Sequence, residues 1–183
     1  MKEIDKMHRN ELYSFADEEI QKRQLDCLRR TEIFNQTPPY KESEHRQALE
    51  ALIPGIPASS NIMPPFHCDH GDMITIGENT FINYGATMLD CGGITIGSRC
   101  KIGPNCQLYT PNHPIDYIER RKPIETGKRI TIGNDCWLGG GVIVCPGVTI
   151  GDCCIIAAGS VVTRDIPPHS LAAGNPAVVK REI

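Results

Sequence analysis

The stretch ITIGNDCWLGGGVIVCPGVTIGDCCIIAAGSVV, residues 130–162, repeats with a period of six. A large aliphatic side chain returns at every sixth position from Ile132 to Val162, and glycine often follows it. The fifth position of each hexad is mostly small, as at Cys136 and Ser160. This pattern is typical of a parallel β-helix, in which three hexads form one triangular coil. We therefore predict a mainly β fold of hexapeptide repeats, with the aliphatic side chains inside the prism.

The same period runs through two earlier blocks and is interrupted twice. The aliphatic positions of these blocks are Ile76, Ile82, Met88, Ile96, Ile102 and Leu108. Two extra residues, within LDCGG, separate the two blocks, and four hexad lengths lie between Leu108 and Ile132. The longer interruption is too polar and irregular for the prism. Residues 109–130 are therefore predicted to form a projecting loop, and such loops commonly carry function.

Residues 1–60 lack this period. Their apolar side chains recur at three- and four-residue spacings among charged ones, which is typical of amphipathic helices. The sequence TPPY at residues 37–40 cannot continue a helix and predicts a turn. A second short helix is expected from Glu42 to Leu52. The chain thus divides into an N-terminal helical region and, over residues 61–183, a parallel β-helix.

Composition argues against several classes of protein. The formal net charge is −3, which disfavours nucleic acid or an anionic membrane as a partner. No apolar run approaches the roughly 18 residues that a membrane span needs. The first residues contain no apolar stretch typical of a signal peptide. We expect a cytoplasmic protein.

The nine cysteines include no CxxC pair, the spacing that zinc ribbons and thioredoxin-like sites use. Four of them occupy the small fifth position of a hexad: Cys100, Cys106, Cys136 and Cys154. We predict that these four are small buried apolar residues and not metal ligands.

His113 is the strongest candidate for catalysis. It lies where the second repeat block gives way to the projecting loop, and Pro111 and Pro114 restrict the backbone around it. An imidazole with a pKa near neutrality can take a proton from a hydroxyl group as a general base. A histidine on a surface loop is the alternative interpretation of the same residue.

The segment YTPNHPID and the repeats from ITIGNDCWLGG to AAGNPAVVK resemble the maltose/galactoside O-acetyltransferase family of hexapeptide-repeat acyltransferases. The resemblance extends to ELYSFADEE and to FHCDHGDMITIGENTFINYGATMLD, so it covers essentially the whole chain. It implies that the parallel β-helix is left-handed, with acetyl-CoA as co-substrate and a sugar hydroxyl as acceptor. His113 matches the family's catalytic histidine, which deprotonates that hydroxyl for direct attack on the thioester. Asn83 matches an asparagine that stabilises the tetrahedral transition state.

The resemblance also implies binding residues. Those on the coenzyme side are Asn83, Trp137, Gly140, Ala158, Thr163, Arg164, Lys180 and Arg181, the last two near its phosphates. Those on the acceptor side are Asp17, Asp69, Asn83 and His113. No metal is implied.

Three positions depart from the galactoside branch of the family. Cys91 stands where that branch has an aspartate, and Gln24 and Val178 stand where it has arginines. Motifs such as MLDCG and FHCDHG are closer to the maltose branch, which favours maltose or glucose as the acceptor. Members of the family form homotrimers with active sites between subunits, so we expect the projecting loop to reach a neighbouring prism.

Three alternatives remain open. An acetyltransferase for a galactoside, serine or an antibiotic would use the same coenzyme chemistry. A zinc-dependent β-helix hydratase would use three histidines from two subunits, for which His67, His70 and His113 are the candidates. A non-catalytic scaffold would use the repeat surface only to bind partners.

Overall fold

The computed structural model describes residues 1–183, and its N-terminal part is mostly helical. Helices α1 (Glu3–His8), α2 (Glu18–Gln36) and α3 (Glu42–Leu52) are joined by short turns, and strand β1 (Tyr13–Ser14) lies between the first two. The predicted second helix is confirmed as α3. No helix is long and apolar enough to cross a membrane. The helical spacing did not predict β1, which pairs with a distant part of the chain.

The rest of the chain is a prism with three faces of stacked strands, which confirms the predicted parallel β-helix. The first face contains β2 (Asn61–Ile62), β5 (Phe81–Ile82), β8 (Lys101–Ile102), β13 (Trp137–Leu138), β16 (Ile155–Ile156), β18 (Ser170–Gly174) and the antiparallel β19 (Ala177–Glu182). The second contains β3 (Phe66–Cys68), β6 (Ala86–Leu89), β9 (Gln107–Tyr109), β14 (Ile143–Val144) and β17 (Val161–Val162). The third contains β4 (Ile74–Ile76), β7 (Ile94–Ile96), β12 (Ile130–Ile132) and β15 (Thr149–Ile150).

The aliphatic side chains of the six-residue period lie inside the prism. On the third face, Ile76, Ile96, Ile132 and Ile150 are in register on successive strands, and all are buried. Each strand therefore stacks its aliphatic side chain on that of the next coil, and this burial holds the coils together.

The four cysteines at fifth positions are buried, as predicted. Each thiol donates a hydrogen bond to a backbone carbonyl; the acceptors are those of Gly133, Gly139, Gly151 and Pro167. These thiols are thus small core groups whose only polar function is satisfied by the neighbouring backbone.

The N-terminal helices close one end of the prism. Phe34 of α2 and Leu49 and Leu52 of α3 are fully buried in the same apolar core as the prism side chains. The side chain of Asn35 accepts a hydrogen bond from the backbone N–H of Phe66 and donates one to its carbonyl. α2 is thereby fixed against β3, at the end where the strands would otherwise be exposed.

The projecting loop is more ordered than its polar sequence suggested. It contains β10 (Pro111–Asn112), a 3₁₀ turn (Glu119–Arg121) and β11 (Ile124–Gly127). β11 pairs antiparallel with β10 on one side and with β1 on the other. The expectation of an irregular loop is therefore wrong for its two ends, which form a small three-stranded sheet with the N-terminal segment.

Candidate active site

A groove of about 790 Å³ follows the first face of the prism. Phe81, Lys101, Trp137 and Ile155 lie directly opposite one another on successive strands, and all four line it. Side chains in register point to the same side of a parallel sheet, and the inward side is filled by the repeat aliphatics. The groove is therefore built from the outward side chains of four consecutive coils.

The structure brings four of the sequence-predicted residues together in this groove: Asn83, Trp137, Gly140 and Ala158. Asn83 follows β5, and its Oδ1 accepts a hydrogen bond of 2.8 Å from the backbone N–H of Tyr84. The Nδ2 amide of Asn83 makes no hydrogen bond within the protein, so it is free to donate to a ligand.

Two backbone donors complete the groove. The N–H groups of Gly140 and Ala158 make no hydrogen bond within the protein, although the neighbouring Gly139 and Ala157 donate to the next coil. Each lies just after a strand, where the chain turns a corner of the prism. Together with the Asn83 amide, which lies two coils away from Gly140, they give three unpartnered donors along the groove, suited to the carbonyl oxygens of an extended ligand.

The remaining residues predicted on the coenzyme side lie outside the groove. Thr163 and Arg164 are exposed beyond β17, and Lys180 and Arg181 are exposed on β19. Arg181 is in register with Leu171 of β18, which in turn opposes Ile155 in the groove. With about 4.8 Å between strands, Arg181 lies roughly 10 Å beyond Ile155 along the same face.

His113 lies on a different surface of the chain, where the small three-stranded sheet projects. Its Nε2 is 3.9 Å from Oε2 of Glu125, and its ring meets the ring of Phe15 edge-on at 6.1 Å between centroids. The other oxygen of Glu125 accepts a hydrogen bond from the hydroxyl of Tyr13. Burial raises the pKa of that hydroxyl, so it stays a donor. The arrangement orients a carboxylate toward the imidazole.

Glu125 is the functional candidate that sequence reasoning missed. It lies in the loop segment that looked irregular, and nothing in its spacing relates it to His113. Its position follows from pairing: Tyr13 of β1 is directly opposite Glu125 of β11, and Asn112 of β10 is opposite Thr126. The side chain of Glu125 is only 13% exposed, whereas that of His113 is 52% exposed.

The predicted acceptor residues are only partly grouped. Asp69 lines a small cleft with Gln24, Leu28 and Cys68, which we call the Asp69 cleft. Burial raises the pKa of the Asp69 carboxyl to about 7, and the nearby charges of Asp90 and Glu125 act in the same direction.

Buried Asp90 holds the turn that carries Asp69. Its carboxylate accepts hydrogen bonds of 2.8–3.0 Å from the backbone N–H groups of Asp69, His70 and Gly71. Asp17 instead caps α2, where its Oδ1 accepts from the N–H groups of Glu19 and Ile20. Its second carboxylate oxygen makes no bond within the protein, so it can still meet a ligand.

The histidines of the zinc alternative are not assembled in the chain. His67 is exposed on β3, and His70 is buried, which lowers the pKa of its imidazole to about 4. No group of three or more His, Cys, Asp or Glu side chains able to hold a metal ion is present.

Three family models match the chain. The Bacterial transferase hexapeptide (six repeats) model matches residues 129–164, and the Hexapeptide repeat of succinyl-transferase matches residues 73–109. The Maltose acetyltransferase hexapeptide capping motif matches residues 6–56, the helical region that closes the prism.

The similar proteins include a maltose O-acetyltransferase from Clostridium difficile 630, which is 41% identical in sequence. Its crystal structure matches with a TM-score of 0.97 over 100% of this chain and 98% of that one. A Vibrio cholerae hexapeptide-repeat acetyltransferase, crystallised with acetyl coenzyme A, is 39% identical with a TM-score of 0.92 and the same coverage of both chains. A galactoside O-acetyltransferase from Lactococcus lactis is 35% identical over 97% of this chain and 86% of its own. These similarities span the helical cap, the projecting loop and the prism alike, and the chain therefore belongs to the maltose/galactoside O-acetyltransferase family of hexapeptide-repeat acyltransferases.

Proposed function

We propose that this protein transfers the acetyl group of acetyl-CoA to a hydroxyl group of a glucose- or maltose-like sugar. The observation that carries the proposal is the groove with its three unpartnered donors, together with a histidine backed by a carboxylate on the projecting loop. The similar Vibrio cholerae acetyltransferase was crystallised with acetyl coenzyme A, and the Clostridium difficile and Lactococcus lactis proteins are named for sugar substrates.

His113 serves as the general base in this proposal. Its imidazole accepts the proton of the acceptor hydroxyl as the oxygen attacks the thioester carbonyl carbon. Glu125 then faces an imidazolium 3.9 Å away and stabilises its positive charge. The Asn83 amide donates to the oxyanion of the tetrahedral intermediate. Collapse of that intermediate expels the coenzyme thiolate, which recovers the proton from His113.

The coenzyme lies along the first face. Its acetyl end is placed beside Asn83, and the N–H groups of Gly140 and Ala158 bind carbonyl oxygens of the thioester and the pantetheine arm. Trp137, 55% exposed in the groove, packs against that arm. The line of side chains toward Arg181 leads to a cationic end, where Lys180, Arg164 and Thr163 add partners for the phosphates.

Acidic side chains mark the acceptor side. Asp69 borders its cleft, and the free oxygen of Asp17 lies at the start of α2. Carboxyl groups accept hydrogen bonds from several sugar hydroxyls at once, which suits an uncharged polyol. A galactoside, serine or an aminoglycoside is the competing acceptor, since each presents hydroxyl groups.

A homotrimer completes the site in this proposal. In one chain the groove carries Asn83, whereas His113 lies on the projecting loop and does not line the groove. The loop also exposes three large apolar side chains, with Ile115 97%, Tyr117 63% and Ile118 45% exposed. Such a patch on a projecting loop suits a protein interface. A second copy of the chain would cover it and bring His113 to a groove.

Product mass spectrometry tests the reaction. Purified protein is incubated with acetyl-CoA and a panel of maltose, glucose, a thiogalactoside, serine and an aminoglycoside, beside His113→Ala. We expect acetylated glucose or maltose, and its loss in the variant. Acetylation of only serine or the aminoglycoside would contradict the sugar acceptor. No product from any acceptor, with no binding of coenzyme A, would favour the scaffold alternative.

A further inference from the structure

Two buried thiols meet where α2 packs on β3, and the proposed reaction uses neither of them. The Sγ atoms of Cys27 and Cys68 are 3.6 Å apart, and 41 positions separate the two residues in the chain. Cys27 is fully buried and Cys68 is 7% exposed. Two sulfur atoms at this distance are in van der Waals contact and can share a proton.

Cys68 is the member of the pair that borders a cleft. Cys68 lines the Asp69 cleft, whose volume of about 240 Å³ is ample for a small oxidant. Cys27 lies behind it, against the hydroxyl of Thr31. A hydrogen bond from the Cys68 thiol lowers the pKa of the Cys27 thiol, so the pair gives up its first proton more easily than an isolated buried cysteine. A cysteine that borders a cleft, a second cysteine able to form a disulfide with it, and a lowered pKa for the first proton of the pair thus occur together.

We propose that Cys27 and Cys68 form an oxidisable dithiol, a modification site for peroxides that links α2 to β3 beside the Asp69 cleft. The pair first releases one proton to solvent, and the Cys68 proton passes to the Cys27 sulfur, so that Cys68 is the thiolate. The Cys68 sulfur attacks one peroxide oxygen and the O–O bond breaks. Cys68 becomes a sulfenic acid, and the hydroxide that leaves takes a proton from solvent to form the first water. A proton leaves Cys27 as its sulfur displaces the Cys68 hydroxyl, so the S–O bond breaks, the S–S bond forms and a second water is released.

Oxidation would change the acceptor side of the protein. A disulfide needs about 2.05 Å between its sulfur atoms, so closing the pair moves them about 1.5 Å closer. Asp69 follows Cys68 directly, and Gln24 and Leu28 lie within one turn of Cys27 on α2. The link therefore draws the two walls of the Asp69 cleft together. This consequence rests on the proposed function, whereas the dithiol itself does not.

Disulfide mapping on the full-length protein tests the dithiol. The reduced protein is treated with a small excess of hydrogen peroxide, blocked with N-ethylmaleimide, digested and analysed by mass spectrometry. We expect a peptide pair joined through Cys27 and Cys68 that dithiothreitol separates. In Cys27→Ser the link is lost and dimedone labels Cys68. Cys106→Ser, which removes a thiol from inside the prism, keeps the link.

Other results would overturn the proposal. A link between Cys100 and Cys136, which are neighbours in successive coils, would show that a different pair is the oxidisable one. The absence of any link, with Cys68 unlabelled by dimedone in Cys27→Ser, would show that peroxide does not reach the site.

Kinetics test the coupling to the cleft. The oxidised protein should show a KM for the sugar raised about fivefold or more, with the KM for acetyl-CoA unchanged and full reversal by dithiothreitol. Equal sugar KM values in both forms would overturn the coupling. If the reduced protein acetylates no sugar, the proposed function fails, and disulfide mapping still decides the dithiol.

Discussion

The carboxylate of Glu125 lies 3.9 Å from the exposed imidazole of His113. Glu125 is fixed by a hydrogen bond from Tyr13 and faces the imidazole with its second oxygen. Replacing it by glutamine keeps the shape of the side chain but removes the charge that would stabilise an imidazolium in the proposed reaction. We expect Glu125→Gln to lower kcat about 10- to 100-fold while the KM for acetyl-CoA stays unchanged, as steady-state kinetics will measure.

Two further variants separate a role in positioning from damage to the fold. Glu125→Asp retains the charge and should recover part of the lost kcat. Tyr13→Phe removes only the hydroxyl donor and should lower kcat less than Glu125→Gln does. An unchanged kcat in Glu125→Gln would exclude the carboxylate from the reaction.

Asp69 should make stability depend on pH. Its carboxyl has a pKa raised to about 7 by burial, compared with about 3.9 in an unfolded chain. Between these values the folded state holds a proton that the unfolded state releases, so stability from this group falls as pH rises from about 4 to 7. Across this range the free energy of unfolding of the wild type should fall by about 1–3 kcal/mol relative to that of Asp69→Asn. This value is reduced for the partial exposure of Asp69.

Urea unfolding of both proteins at several pH values measures this difference. His70 has a lowered pKa and acts with the opposite sign, because its stabilising contribution is lost as pH falls through about 6.5 to 4. It is present in both proteins and cancels in the comparison. A difference between the two proteins that does not change with pH would show that Asp69 is ionised like an exposed carboxylate.

The strands of the prism could be predicted from the sequence because every hexad must place one aliphatic side chain inside, as those of Ile132 and Ile150 do. The sheet of β1, β10 and β11 could not, since strands of two to four residues have no period of their own and depend on contact with each other. Glu125 was missed for that reason. The groove residues were named through family resemblance, while their unpartnered donors became visible only in the structure.

The corner after β13 offers a matched pair of glycines for testing the packing of the coils. A Cβ atom on Gly139 would lie 2.5 Å from the backbone nitrogen of Ala158 in the next coil, where neither chain can move freely. A Cβ atom on Gly140 would meet Pro104 at 3.3–3.4 Å, a contact that a small shift relieves. We expect Gly139→Ala to destabilise the protein by about 1–3 kcal/mol and Gly140→Ala by much less.

Thermal unfolding of the two variants beside the wild type checks this prediction. The coils are spaced by the backbone hydrogen bond from Gly139 N–H to the Ile156 carbonyl, so the clash at Gly139 acts on the stack itself. Equal unfolding temperatures for Gly139→Ala and the wild type would mean that the coils separate easily at this corner.

The whole molecule is a prism with a groove on its first face, and His113 does not line that groove. The exposed apolar loop around Ile115 is the surface that a second copy would cover. A charge placed there remains hydrated in the monomer but must be desolvated in an interface, which costs several kcal/mol. Ile115→Asp should therefore shift the protein in sedimentation velocity toward the 20.2 kDa monomer and abolish activity. An active Ile115→Asp monomer would contradict a shared site.

Complementation between two inactive variants tests the shared site most directly. His113→Ala and Asn83→Ala subunits, carrying different tags, are co-expressed in equal amounts, and sugar acetylation is measured by mass spectrometry. In a cyclic trimer each mixed assembly contains one site with both His113 and Asn83 intact, and mixed assemblies are about three quarters of the total. We predict about one quarter of wild-type activity from the mixture and none from either variant alone. A mixture as inactive as its components would contradict it, because both residues would then act within one chain.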